Sequence, residues 1–248
     1  MTDHPDFVQA DNSGPFTLDG TRSYLVGSSS IAIIDPGPDV DSHVRALASR
    51  ASRAREVVIL LTHGHADHAE AAPRLAEELS ADVLGPEGVA DVNRILRDGD
   101  EVETDAGTLV AVDTPGHTRH HLAFHWPRRA AVFVGDLLLG RGDTTWVAEY
   151  PGCVADYLDS LEHLRGLAPD VLYPTHGPPL TDPMAAVDRF EAHRLERVEQ
   201  VREARRRHPD ADAETLVDVV YGDTVPTAMR GAARRSLEAV LHHLDASR

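Results

Sequence analysis

Apolar and polar positions change period along the chain in short blocks, and each period predicts one kind of element. Residues 23–26 (SYLV) and 31–35 (IAIID) are short β-rich runs, which predicts paired strands closed by the breaker Pro36-Gly37-Pro38. Over 40–51 the apolar residues Val44, Leu47, Ala48 and Ala51 recur at helical spacing. Residues 57–61 (VVILL) predict a buried strand that stops abruptly at Thr62-His63-Gly64-His65. A helix over 71–79 and a strand over 81–84 follow. Residues 101–112, 121–126 and 131–134 then predict a run of mostly antiparallel strands. A helix over 156–167 leads to a last strand, 171–173, which meets Pro174-Thr175-His176-Gly177.

After Pro178-Pro179 the strand pattern ends. Residues 185–207 predict one long helix with an apolar stripe of Val187, Phe190, Leu195, Val198 and Val201, stopped by His208-Pro209. Shorter helices are predicted over 213–221 and 227–244. The expected organisation is an α/β domain over 1–183 and an all-α appendage over 184–248. No internal repeat interrupts it.

Charge narrows the function classes. The 248 residues carry 41 acids against 24 Arg and no Lys, a net −17. Without lysine, Schiff-base chemistry and a lysine general base are excluded. Residues 1–183 hold 29 acids and 13 Arg, whereas 184–248 hold 12 and 11. The larger part would therefore repel a polyanion, which argues against a nucleic-acid partner. The Arg202, Arg205, Arg206, Arg207 run reads as a solvated helix end. No stretch approaches the ~18 apolar residues of a membrane span. Residues 1–9 show no cationic stretch followed by an apolar run, so a cytoplasmic protein is expected. The single cysteine, Cys153, reads as a small buried hydrophobe.

The candidate chemistry lies at strand ends. There are 15 His, and Thr62-His63-Gly64-His65-Ala66-Asp67-His68 packs three imidazoles and a carboxylate into a turn leaving a buried strand. On such a turn the side chains can converge, whereas on a regular helix or strand they would diverge. Pro115-Gly116-His117, Gly135-Asp136 and Thr175-His176-Gly177 add three further groups at turns. Imidazole with carboxylate suits zinc, manganese or iron. Seven ligands exceed the four of one tetrahedral ion and suit two ions sharing a carboxylate. Ligand imidazoles need their second nitrogen anchored, and nearby carboxylates such as Glu70 are candidates. His121 is either an anchor behind the ligands or a packed strand residue, and His193 either faces the cleft or the surface.

His63-x-His65-x-Asp67-His68 followed by His117, Asp136 and His176, at intervals of 49, 19 and 40 residues, resembles the metallo-β-lactamase superfamily. Asn12-Ser13-Gly14-Pro15 with residues 20–27, and the tail from His193-Arg194 onward, resemble its beta-lactamase-like-protein-2 branch near glyoxalase II. The resemblance implies an αβ/βα sandwich with a winged-helix-like C-terminal appendage. It also implies one metal on His63, His65 and His117, a second on Asp67, His68 and His176, and Asp136 bridging, with two zinc ions the expected cofactor. Asp136 stands where true β-lactamases usually carry Cys or Ser, which argues against lactamase activity.

The expected activity is hydrolysis of a small or carrier-linked ester or thioester by a hydroxide bound between the metals, with Asp67 orienting it or accepting its proton. A phosphodiesterase or endoribonuclease, and a mononuclear iron persulfide dioxygenase, are the competing activities of the same fold. The helical tail is expected to close one side of the cleft and to contribute to self-association, as in a homodimer.

Overall fold

The computed structural model describes residues 4–222 and 225–246; the first three residues of the amino-terminal stretch, 223–224 and 247–248 lie outside them. Among the described residues eleven strands form two sheets. The first contains, in spatial order, β1 (Asp6–Gln9), β2 (Arg22–Val26), β3 (Ser30–Ile34), β4 (Glu56–Leu60), β5 (Asp82–Gly85) and β6 (Arg94–Ile95). The second contains β7 (Glu101–Val102), β8 (Leu109–Asp113), β9 (Leu122–Trp126), β10 (Ala131–Gly135) and β11 (Val171–Pro174), again in chain order. Strands β3 to β6 run parallel, as does β11 on β10, and the other pairs are antiparallel.

Strand alternation sorts the side chains into layers. Ala32 and Ile34 point inward from β3 and meet Phe124 and Phe133 of the second sheet. Ile31 and Ile33 point outward onto Val44 and Leu47 of α1 (Asp41–Ala51) and Leu75 of α3 (Ala72–Leu79). On the far side, Val132 and Val134 of β10 pack against Tyr157 and Leu161 of α4 (Cys153–Gly166). The result is helix, sheet, sheet, helix: the αβ/βα sandwich.

The described elements of the tail are all helical. It comprises α5 (Pro183–Arg207), α6 (Ala213–Tyr221), a 3₁₀ turn (Thr227–Met229) and α7 (Arg230–Ala246). Asp182 caps α5 by accepting from Ala185 N at 3.1 Å, and Pro183 follows it, where its missing N–H costs nothing. Val187, Phe190, Val198 and Val201 share one apolar cluster with α4 and the second sheet, so the core continues past Pro183.

Several elements differ from the sequence expectation. Strands β1 and β6 were not predicted, because both are short edges with little apolar pattern. The block 101–112 is a hairpin of β7 and β8, and α4 begins at Cys153. Leu195 lies outside the α5 stripe and is exposed. The steps 187, 190, 194, 198, 201 follow the helical period, and it is Arg194 that takes the buried place. Cys153 is buried and free, and burial pushes its thiol pKa up. Among the described residues no helix is long and apolar enough to cross a membrane.

Candidate metal centre

The centre lies where the two sheets end together. Strand β4 delivers Thr62 to His65, and the single turn α2 (Ala66–Ala69) carries Asp67 and His68. The turns after β8, β10 and β11 bring His117, Asp136 and His176. Gly135 has φ +52, and a Cβ there would stand 2.7 Å from His121 Nε2 and 2.8 Å from Thr62 Oγ1. Only glycine lets the chain turn that closely and present Asp136.

All seven expected ligands are brought together. His63 Nε2 and His117 Nε2 lie 2.9 and 3.0 Å from His65 Nδ1. On the other side, His176 Nε2 is 3.2 Å from Asp67 Oδ2, and His68 Nε2 is 3.9 Å from the same oxygen. Asp136 stands between the groups. Its Oδ1 is 3.5 Å from His68 Nε2 and 3.6 Å from His176 Nε2, while Oδ2 is 3.7 Å from His117 Nε2.

The hydrogen bonds of the imidazoles fix which nitrogen faces inward. His68 Nδ1 donates to Asp35 Oδ2 at 2.8 Å, His117 Nδ1 to the Trp146 carbonyl at 2.8 Å, and His176 Nδ1 to the Gly20 carbonyl at 3.4 Å. His65 Nε2 donates to Glu149 Oε1 at 2.6 Å. Thr62 Oγ1 donates to Asp35 Oδ2, so at 3.0 Å it accepts from His63 Nδ1. Each ring thus has one nitrogen anchored and the other turned to the centre, the arrangement a metal ligand needs. His68 Nε2, His176 Nε2 and Asp136 Oδ1 are buried there without any hydrogen-bond partner. Buried unpartnered polar atoms are costly, and a divalent cation would satisfy all three. The residues present fit such an ion.

The electrostatics favour positive charge on the His68 and Asp136 side of the centre and neutral rings on the other. Burial and the surrounding imidazoles push the His63 pKa well down, and burial lowers those of His117 and His121, keeping these rings neutral. Burial works to raise the Asp136 pKa, but His68 and His176 override it and hold the carboxyl well below its usual range. Burial likewise opposes a charge on His68, yet Asp136 and Asp35 raise its pKa well above the ordinary value.

Three partners were missed or misassigned in the sequence. Asp35, at φ +49, accepts from Thr62 N, Thr62 Oγ1, His68 Nδ1 and Thr175 Oγ1, tying both sheets to the centre. Its one sequence signal is an acid at a strand end before Pro36. Glu149 has no signal at all, being distant in sequence and on an irregular loop. Glu70 is not an anchor; it accepts from Asp39 N at 3.3 Å, at the surface. His121 stands behind the ligands: its Nε2 accepts from Asp136 N at 3.3 Å and its Nδ1 donates to Thr114 Oγ1. His193 is not in the cluster and lines the outer cleft, with Nδ1 3.5 Å from Asp143.

A cleft of about 1140 Å³ opens above the centre, its floor including His65, Asp67, His117 and Asp136. The loop over residues 144–149 and helices α5 and α7 form its walls. Helix and centre are linked: Arg194 Nη2 donates to the Thr145 carbonyl at 3.1 Å, and Thr145 Oγ1 donates to the Asp136 carbonyl at 2.8 Å.

A family model described as the metallo-beta-lactamase superfamily matches residues 16–92 and 84–176. A beta-lactamase-like protein 2 homolog from Caenorhabditis elegans is 32% identical over 94% of this chain and 81% of its own. An atrochrysone carboxyl ACP thioesterase from Aspergillus chevalieri is 31% identical over 96% of this chain and 78% of its own. Among solved structures, a metallo-beta-lactamase family protein from Thermus thermophilus superposes with a TM-score of 0.79. It is 22% identical, and the match covers 98% of this chain and 93% of that one.

Proposed function

The chain belongs to the metallo-beta-lactamase superfamily, and from that premise we propose that it is a dinuclear metal hydrolase of small or carrier-linked esters and thioesters. The observation that carries the proposal is the convergence of five anchored imidazoles and two carboxylates at the floor of a large cleft, with His68 Nε2, His176 Nε2 and Asp136 Oδ1 buried and otherwise unsatisfied. His63, His65 and His117 would hold one ion, Asp67, His68 and His176 the other, and Asp136 both. Two bound dications, with zinc the expected metal, would lower the pKa of a shared water and offset charge developing on a carbonyl oxygen.

The chain's own groups do the positioning. Asp67 is the more exposed of the two carboxylates, so the oxygen it turns away from His68 and His176 can orient a water against the substrate and accept its proton. His121 fixes the backbone of Asp136, and Asp35 fixes His68. The thioesterase relative supports a carrier-linked acyl substrate. In this reading residues 1–183 form the metal-binding catalytic domain, and 184–248 form a helical domain closing the cleft.

The test combines elemental analysis with parallel assays of acyl thioesters, aryl phosphodiesters and RNA. We expect about two metals per chain and thioester hydrolysis that a chelator abolishes and added zinc restores. One iron and no second metal would replace the proposal with an oxygenase, and efficient RNA cleavage would replace it with a nuclease.

A further inference from the structure

Apart from Arg189, which donates to the Gly142 carbonyl at 2.9 Å, the described arginines on the C-terminal helices fall into two groups. Arg202, Arg205, Arg206, Arg207, Arg230 and Arg234 each have a carboxylate partner close by. Arg194, Arg197 and Arg235 line the cleft, and among the described residues none of them has a carboxylate within ion-pair distance. Arginines without an ion-pair partner occur elsewhere among the described residues, at Arg53, Arg55 and Arg94 for example; what sets Arg194, Arg197 and Arg235 apart is that they converge on one cavity.

These three are held by aromatic faces. Arg197 lies 4.3 Å from the Tyr221 ring centroid, Arg235 5.2 Å from that of Trp146, and Arg194 5.4 Å from that of Tyr157. A guanidinium stacked on a ring keeps its in-plane N–H groups for a planar oxyanion. Arg194 is only 3% exposed, and its Nε has no partner. A buried, uncompensated cation is expensive unless an anion arrives. Besides Asp67 and Asp136 on the floor, Glu149 is the acid of this cleft; its carboxylate accepts from His65 and feels the charge of Arg235 without coming within ion-pair distance of it. The same cleft is lined by the apolar side chains of Phe16, Leu139, Val225 and Met229.

We propose that the outer cleft is a subsite for an oxyanion at the end of an apolar arm. Resting on the hydrolase reading above, this makes the substrate an acyl ester or thioester that carries a phosphate or carboxylate away from the scissile bond. Arg197 and Arg235 contact the anion, and Arg194 supplies positive potential from behind. The group can come from two sources, a phosphorylated thiol arm or an acidic acyl chain. A polynucleotide fits less well, because the acidic exterior offers no cationic track beyond these residues.

The test is calorimetric binding of non-hydrolysable thioethers to the metal-loaded full chain. The probes are S-butyl-4′-phosphopantetheine, S-(4-carboxybutyl)-N-acetylcysteamine and the neutral S-butyl-N-acetylcysteamine. We expect one anionic probe to bind about tenfold or more tightly than the neutral one, and its identity names the source. Arg197→Gln and Arg235→Gln should each erase most of that preference and leave the neutral probe unchanged. Both side chains reach solvent, so folding is retained, and Arg235→Lys should keep part of the preference. Equal binding of all three probes, loss of neutral and anionic binding alike, or tighter binding of a short single-stranded RNA would overturn the subsite. Thioethers are not turned over, so an intact anion preference without thioester hydrolysis would sink the hydrolase reading alone.

Discussion

At the residue scale, Asp136 and Glu149 touch the centre from opposite sides and should fail differently. Asp136 presents one oxygen to His68 and His176 and the other to His117, so its carboxylate faces both halves at once. Asp136→Ala should lose metal and activity together while the circular-dichroism spectrum stays that of the folded protein, since the sandwich core lies elsewhere. Full activity in Asp136→Ala would refute a centre built on two ions. Glu149 acts through His65, holding its Nε2 so that Nδ1 faces inward. Glu149→Ala should lower metal affinity by about 10–100-fold, whereas Glu149→Gln, which keeps an acceptor oxygen, should retain most of it. Competition with a chelator of known affinity separates the two outcomes; equal loss in both variants would mean that the carboxylate charge, and not the hydrogen bond, matters.

At the scale of elements, α5 shows how one position in a stripe changes its meaning. The helical period leads from Phe190 to Arg194 to Val198 on the buried face, and leaves Leu195 in solvent. Phe190→Ala should cost about 3–5 kcal/mol, because it removes a fully buried ring from the apolar cluster that α5 shares with α4 and α7. Leu195→Gln should stay within about 0.5 kcal/mol of the parent. Denaturant titration of the two variants checks this directly, and similar costs would mean that α5 packs with a different face. Arg194 occupies that stripe because it has a second task, reaching the Thr145 carbonyl and through Thr145 the backbone of Asp136.

At the scale of the whole molecule, the helical tail and the sandwich share one apolar cluster. Tyr157, Leu161 and Leu164 of α4 pack with Val187, Phe190 and Leu237. Ending the chain before Met184 would expose that face of α4, so the shortened protein should melt well below the full chain and aggregate on heating. A truncated form with an unchanged melting temperature and unaltered metal content would show that the tail is an independent unit. The net −17 also makes a test of substrate class. Turnover of a neutral thioester should depend weakly on salt, since few counterions are released when it binds.

The sequence by itself determined the parts whose signals are local. Period-2 and period-3.6 patterns depend on neighbours along the chain, so residues 23–26, 31–35, 57–61 and 131–134 were legible as strands and 40–51 as a helix. His63, His65, Asp67 and His68 were legible as one cluster because a single turn carries them, and His117, Asp136 and His176 because each follows a strand beside glycine. Tertiary structure alone decided what joins these pieces. Asp35 and Glu149 anchor ligands across 33 and 84 residues of chain, and hydrogen bonds over such separations leave no pattern in spacing. Edge strands β1 and β6 were likewise invisible, since their partners and not their composition hold them extended. The arginine-lined cleft exists only because α5 and α7 fold back over the centre, bringing Arg197 and Arg235 to one wall. Charge counts cannot show this, because a balanced helix and an unpaired cationic face have the same sum.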